Sequence, residues 1–251
     1  MKKILYIPIM ATILLTGCSA TDNELLSAIE DSYNLKTGTI QSDFKYSTQY
    51  DNIEIEGVVE GSINIAYGSD YDKITADINF DDNTDKVEYY VDNKGEILGA
   101  DDEGEVLYAP LYIDAPDLSK YEDDILEPKS TKIKVDGKDV NVNEYTLELD
   151  KLDTEVAKSM FDPIIKLGFV SADIMQADFI NGTFNLSYYV NPETGLLEKE
   201  SLSFTQTGDD TQSTKTTVKI ENNYSYDEVE VEVPASLLEE DKTNEESSET
   251  K

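Results

Sequence analysis

Three stretches carry residue types that could do chemistry: Leu15-Thr16-Gly17-Cys18, Ser42-Asp43-Phe44-Lys45, and the acidic run from Asp81 to Asp92. A serine and a lysine one helical turn apart can act as nucleophile and base. Ser42 and Lys45 instead lie in a period-two stretch, where residues three apart face opposite sides, so that chemistry is not expected of them. Asp81, Asn83 and Asp85 set oxygen ligands at positions one, three and five of a calcium loop. Lys86 then stands where the loop needs glycine and Asp92 where it needs glutamate, so a plain polar turn is the expectation. Asp101-Asp102-Glu103-Gly104-Glu105 reads as a solvated hairpin in the same way. The chain has no histidine and one cysteine, which removes the common bases, thiol nucleophiles and zinc ligand sets. Among 54 acidic residues, close carboxylate pairs arise by chance. The expectation is a protein that is not an enzyme, with no cofactor and no metal site.

Cys18 is different because of what precedes it. Lys2 and Lys3 are followed by an apolar run from Ile4 to Leu15, broken only by Pro8 and Thr12, and then by small residues. This is the layout of a secretory signal. The run is about half the ~20 apolar residues that a helix needs to cross a bilayer. Leu15-Thr16-Gly17-Cys18 resembles the bacterial lipobox, in which the cysteine is lipidated and becomes the first mature residue. The resemblance implies a lipoprotein signal peptide over 1–17, a palmitate-type anchor on Cys18 with a short tether over 18–21, and attachment to the extracytoplasmic face of the cell membrane. A lone thiol in an exported protein is otherwise an oxidisable liability, which acylation removes.

The formal net charge is −34, from 20 lysines, no arginine and 54 acids. Nucleic acid is excluded as a partner, since backbone binding needs clustered basic residues to displace counterions. The same balance argues against the body of the protein lying on anionic lipid. It reads as a solvated, self-repelling surface or as one that collects cations.

The elements that must position any site follow from periodicity. Thr21-Asp22-Asn23-Glu24 reads as a capping box ahead of Leu25, Leu26 and Ile29, predicting a helix over 22–33. Ile40, Phe44, Tyr46 and Tyr50 then alternate with Gln41, Asp43, Lys45 and Gln49. The pattern continues through Ile53–Tyr67, Ile74–Phe80 and Val87–Val91, as half-buried antiparallel strands. After a connection over 109–129, strands are expected at 131–135 and 140–149. Val156, Met160, Ile164 and Leu167 recur at helical spacing, predicting helix over 154–180 with a kink near Pro163 and Gly168. Strands return at 184–190, 196–205, 216–224 and Val229-Val231-Val233, with Asn191-Pro192-Glu193-Thr194-Gly195 as a turn. From 239 to 251 the chain reads as a disordered acidic tail. Tyr89–Leu98 weakly echoes Tyr188–Leu197, leaving open two similar halves at about 22–149 and 150–238.

This order of helix, strands, helical insertion and strands carries Tyr-Tyr-Val-Asn-Pro-Glu-Thr-Gly-Leu-Leu-Glu-Lys (188–199) and a closing Val-Glu-Val-Pro (231–234). It resembles the LolA/LppX-like lipoproteins of bacterial envelopes over a single domain spanning 22–238. The resemblance implies an α+β fold: a curved antiparallel sheet, or half-barrel, with helices packed on or closing its concave face, where several members hold lipid. Candidate lining residues are Phe44, Tyr46, Ile55, Ile63, Ile65, Ile78 and Phe80 from the sheet, with Phe161, Ile164, Ile165 and Phe169 from the helices. The same residues would equally build a packed core. Having no arginine, the chain lacks the arginine-based lid contacts expected of the periplasmic carrier.

Two functions remain open. One is a membrane-anchored, non-catalytic lipoprotein binding a lipid or other hydrophobic ligand in a half-barrel cavity. The other is a structural or interaction lipoprotein with a solid core and an acidic surface for a basic protein or cell-wall partner.

Overall fold

The structure is a computed structural model that describes residues 20–34, 37–50, 53–80, 83–94, 97–99, 115–135, 137–153, 156, 181–207 and 214–238. Helix α1 (Ala20–Tyr33) precedes ten strands: β1 (Gly38–Tyr50), β2 (Ile53–Tyr67), β3 (Tyr71–Phe80), β4 (Asn83–Asp92), β5 (Ile97–Leu98), β6 (Lys129–Val135), β7 (Lys138–Lys151), β8 (Asn181–Val190), β9 (Leu197–Thr207) and β10 (Thr214–Ser225). A short 3-10 helix at Ser119–Asp124 lies between β5 and β6.

Among the described residues ten strands form one open sheet in the order β5-β4-β3-β2-β1-β10-β9-β8-β7-β6. The chain starts at the middle, steps outward to one edge, crosses to the other edge and steps back until β10 pairs antiparallel with β1. Each step joins strands adjacent in sequence, the pairing that short connections favour. Both edges are blunted against adding another strand. β5 is two residues long, and β6 carries the exposed Lys129, Lys132 and Lys134.

Alternation decides the two faces. Ile40 and Phe44 are buried while Gln41, Asp43 and Lys45 between and beside them are exposed. Residues directly opposite share a face, so one apolar row runs Phe44–Ile220–Leu202–Leu186–Leu147 across β1, β10, β9, β8 and β7. On the other side of β1, Ile65 opposes Ile40 and Ile74, and Ile74 opposes Tyr89. These side chains form one core cluster with Leu25, Ala28 and Ile29 of α1. The buried positions of α1, namely 25, 28, 29 and 32, follow the i, i+3, i+4, i+7 stripe of a helix lying on a surface.

Two glycines let aromatic rings lie flat on neighbouring strands. A Cβ added at Gly61 would meet the Phe44 ring at 2.9 Å, and one at Gly182 would run into the ring of Phe204. Gly182→Ala is therefore expected to destabilise the fold by about 1–3 kcal/mol, as overpacking does, read as a lowered urea midpoint. The turn after β8 matches its expectation. The Asn191 side chain accepts from the Glu193 N–H at 2.9 Å, and Gly195 takes the left-handed φ of 74° that closes the loop.

One expected strand is absent. Val229-Val231-Val233 alternates, but residues 226–234 pair with no strand among the described residues. The alternation reflects contact across the end of the sheet. Val229 N–H donates to Thr37 Oγ1 at 3.3 Å, and Val231 packs beside Gly68 in the β2–β3 turn. Both edges of β1 and β10 are already paired there, and Pro234 has no N–H to donate. The expected helix over 154–180, the hairpin at 101–105, the signal region with Cys18 and the tail over 239–251 lie outside the described residues, apart from Val156, which is helical. The echo between Tyr89–Leu98 and Tyr188–Leu197 equates β4 with β8.

Candidate functional site

Of the candidate lining residues, the sheet brings five together. Phe44, Ile63, Ile65 and Ile78 are buried in the core cluster, at 1–4% exposure, and Tyr46 packs partly buried against it. Ile55 and Phe80 belong to β2 and β3, but their side chains are outside the described residues, as are Phe161, Ile164, Ile165 and Phe169 altogether. Ser42 and Lys45 do face opposite sides of β1: Ser42 is buried and Lys45 exposed. The segment that held the calcium-loop spacing is strand β4 from Asn83 onward. Among the described residues, no group of three or more acidic or cysteine side chains is placed to hold a metal ion, and no helix is long and apolar enough to cross a membrane.

The arrangement that sequence reasoning missed is a polar row on the apolar face. Ser42, Asn222, Glu200, Tyr188 and Tyr145 are directly opposite one another on β1, β10, β9, β8 and β7. Ser42 Oγ donates to Asn222 Oδ1. Asn222 Nδ2 donates to Glu200 Oε1 at 2.6 Å, and the Tyr224 hydroxyl to Oε2 at 3.0 Å. Tyr33 from α1 donates to the same carboxylate, its hydroxyl 2.9 Å from each oxygen. Its ring lies 6.1 Å from that of Tyr224. Burial pushes the Glu200 carboxyl above its usual range, against the opposing effect of the donors Tyr33, Tyr224 and Asn222. Burial followed by the Glu200 charge pushes Tyr33, Tyr188 and Tyr224 well up, so all three stay neutral.

A second set of contacts fastens the last turn of α1. The Leu197 N–H donates to buried Ser32 Oγ at 2.9 Å, Ser32 Oγ shares a hydrogen bond with the Tyr226 hydroxyl at 2.9 Å, and that hydroxyl donates to the Leu197 carbonyl at 2.5 Å. The helix therefore ends over the start of β9. Its first turn lies near β7, where Glu24 stands close enough to Tyr145 to push the phenol up, after burial. The Tyr145 hydroxyl has no partner of hydrogen-bonding geometry among the described residues.

The opposite face is polar. Two open grooves, of about 470 and 530 Å³, share Ser62 and Asp77 on β2 and β3. The ion pairs Lys86–Asp77 (3.0 Å) and Lys45–Glu60 (3.4 Å) in their walls are solvent-exposed, so each contributes little to stability.

No family model and no curated protein matches the chain. Several solved structures are similar at low identity. The MucA/MucB complex of Pseudomonas aeruginosa has 12% identity over 86% of this chain and a TM-score of 0.28. This chain spans 59% of the length of that one. A LolA superfamily protein of Nitrosomonas europaea has 11% identity, covering 84% of this chain and 94% of that chain, with a TM-score of 0.20. A putative outer membrane lipoprotein-sorting protein domain of Vibrio parahaemolyticus has 11% identity, covering 81% and 90%, with a TM-score of 0.20.

Proposed function

We propose that this chain is a lipid-anchored lipoprotein on the extracytoplasmic face of the cell membrane, which binds a lipid or other hydrophobic ligand against the apolar face of its sheet and performs no catalysis. The observation that carries the reading is the extent of that face. Helix α1 packs on β8 and β9, and the 3-10 helix on β7. The apolar side chains continue for four strands more, through Ile40, Ile63, Ile74 and Tyr89 of β1–β4, each buried at 1–3% exposure in the same core cluster, so a ligand would take its place within that apolar layer and not on an open surface. An acyl chain gains about 0.8 kcal/mol for each methylene it buries. The proposed anchor on Cys18 lies two residues before α1, a span of at most about 7 Å, which keeps the sheet within reach of membrane lipid.

The test is a titration with a fluorescent fatty acid. Saturable one-to-one binding, competed by lipid extracted from the host membrane, is the expected result. A signal that never saturates and is not competed would overturn the reading. The alternative, an acidic scaffold for a basic protein or cell-wall partner, is favoured by the two polar grooves, and it predicts binding to a cationic partner that weakens with salt.

A further inference from the structure

Across the outward face of the sheet runs a row of uncharged polar side chains. Thr75, Asn64, Gln41 and Asn223 are directly opposite one another on β3, β2, β1 and β10. Gln41 and Asn64 are exposed, and Thr75 and Asn223 half-buried. Elsewhere in the fold an asparagine finds a neighbour. Asn79 accepts from Thr84, Asn143 accepts from Ser130, and Asn191 donates to Glu198. Gln41, Asn64 and Asn223 make no such side-chain bond among the described residues. Their amides, each able to donate and to accept, therefore stand at the spacing of the strands, about 4.8 Å apart, and the row with Thr75 is about 14 Å long.

The row lies in a trough whose charges cancel. Gln41, Asn64 and Thr75 line the groove of about 470 Å³ together with Ser62, which also lines the groove of about 530 Å³, so the two run into each other. The acids in their walls are Asp43, Glu60, Asp77, Glu88 and Glu221. Lys45 pairs with Glu60, Lys86 with Asp77, Lys73 with Glu88 at 3.1 Å, and Lys199 with Glu221 at 2.8 Å. Lys219 in the same wall offsets Asp43 in number. Five lysines thus meet five acids on one face of a chain whose net charge is −34. A charged partner of either sign meets no net field here, and an apolar one would leave the amides without hydrogen bonds.

The ligand that suits the trough is uncharged, extended, and rich in groups that donate and accept together. A chain of pyranose rings has these properties. Its hydroxyls match both ends of an amide, and one ring is about as long as the step from strand to strand. We propose that the trough over β3, β2, β1 and β10 binds an uncharged, extended oligosaccharide laid across the strands, with Asn64, Gln41 and Asn223 hydrogen-bonding successive rings. Each such bond replaces one to water, so a single ring binds weakly and affinity builds with the number of rings. The site is on the face opposite the apolar layer, so it stands whether or not a lipid binds there.

The experiment is a nitrogen-15 NMR titration of the mature chain with tetra-N-acetylchitotetraose, an uncharged probe, and with N-acetylglucosamine for comparison. The side-chain amide signals of Gln41, Asn64 and Asn223 move along saturating curves, while that of Asn191, held by Glu198, stays still. The tetramer binds at least about tenfold more tightly than the single sugar, and added salt leaves its affinity unchanged. Gln41→Ala combined with Asn64→Ala, both at exposed positions, weakens binding by about tenfold or more while the urea midpoint holds. A titration without saturating shifts would overturn the proposal, as would shifts confined to other residues, equal affinity for tetramer and single sugar, or full affinity in the double variant. If that variant does not fold, the wild-type side-chain shifts decide alone. A trough that ignores the tetramer but takes up tetralysine, and releases it as salt rises, would overturn the proposal in favour of a basic partner.

Discussion

Cys18→Ala is expected to abolish all incorporation of labelled fatty acid into the protein. The effect is complete because Cys18 is the only thiol in the chain, so no second site can take its place. One acyl chain holds a protein to a bilayer only marginally, whereas two or more give stable attachment. A chain of net charge −34 gains no electrostatic help from anionic lipid, so the anchor alone must supply that attachment. The check is metabolic labelling followed by the mass of the N-terminal peptide. The wild type should begin at an acylated Cys18, and the variant should carry no acyl mass. Label retained in the variant would place the lipid elsewhere and remove the basis for the assigned location.

Phe204→Ala is expected to cost about 3–5 kcal/mol, a large share of the total stability of a single domain. Phe204 is 0% exposed and opposes Val218 on β10 and Phe184 on β8. Its ring lies 4.5 Å, centroid to centroid, from that of Phe184 and covers the bare backbone of Gly182. Backbone strands on both sides cannot move in to fill the space, so most of the cavity should persist. Urea unfolding should show a lower midpoint with an unchanged slope. A loss below about 1 kcal/mol would mean that this part of the interior is loosely filled, and would contradict the packing described for β8–β10.

The strands were legible because alternation is a direct imprint of one buried and one wet face. Gln41 and Asp43 between Ile40, Ser42 and Phe44 are enough to set the orientation of β1. Helix α1 was legible from the spacing of Leu25 and Ile29, but its start was not: the helix begins at Ala20 and takes in Thr21, the residue expected to cap it. Val229-Val231-Val233 misled because alternation reports which side chains are covered, not whether the backbone has a partner. The same limit hid the polar row. In Glu198-Lys199-Glu200-Ser201 the chain looks uniformly polar, yet Glu200 shares parity with Leu202 and Phe204, and that inward parity is the signal that could have found it. Ser42 and Asn222 carried the same mark. Which elements pair across the centre, with β1 beside β10, was not legible, since register between distant strands depends on packing that no local pattern encodes.

The most direct test of the binding claim is native mass spectrometry, with lipid extraction, of the Ser19–Lys251 chain purified from a bacterial host, which removes the anchor's own acyl chains. Reproducible, stoichiometric lipid is expected, lost in Ile65→Trp while the strand content persists. A clean ligand-free mass, unchanged after incubation with membrane lipid, would contradict it and leave the apolar face as the core of a solid scaffold.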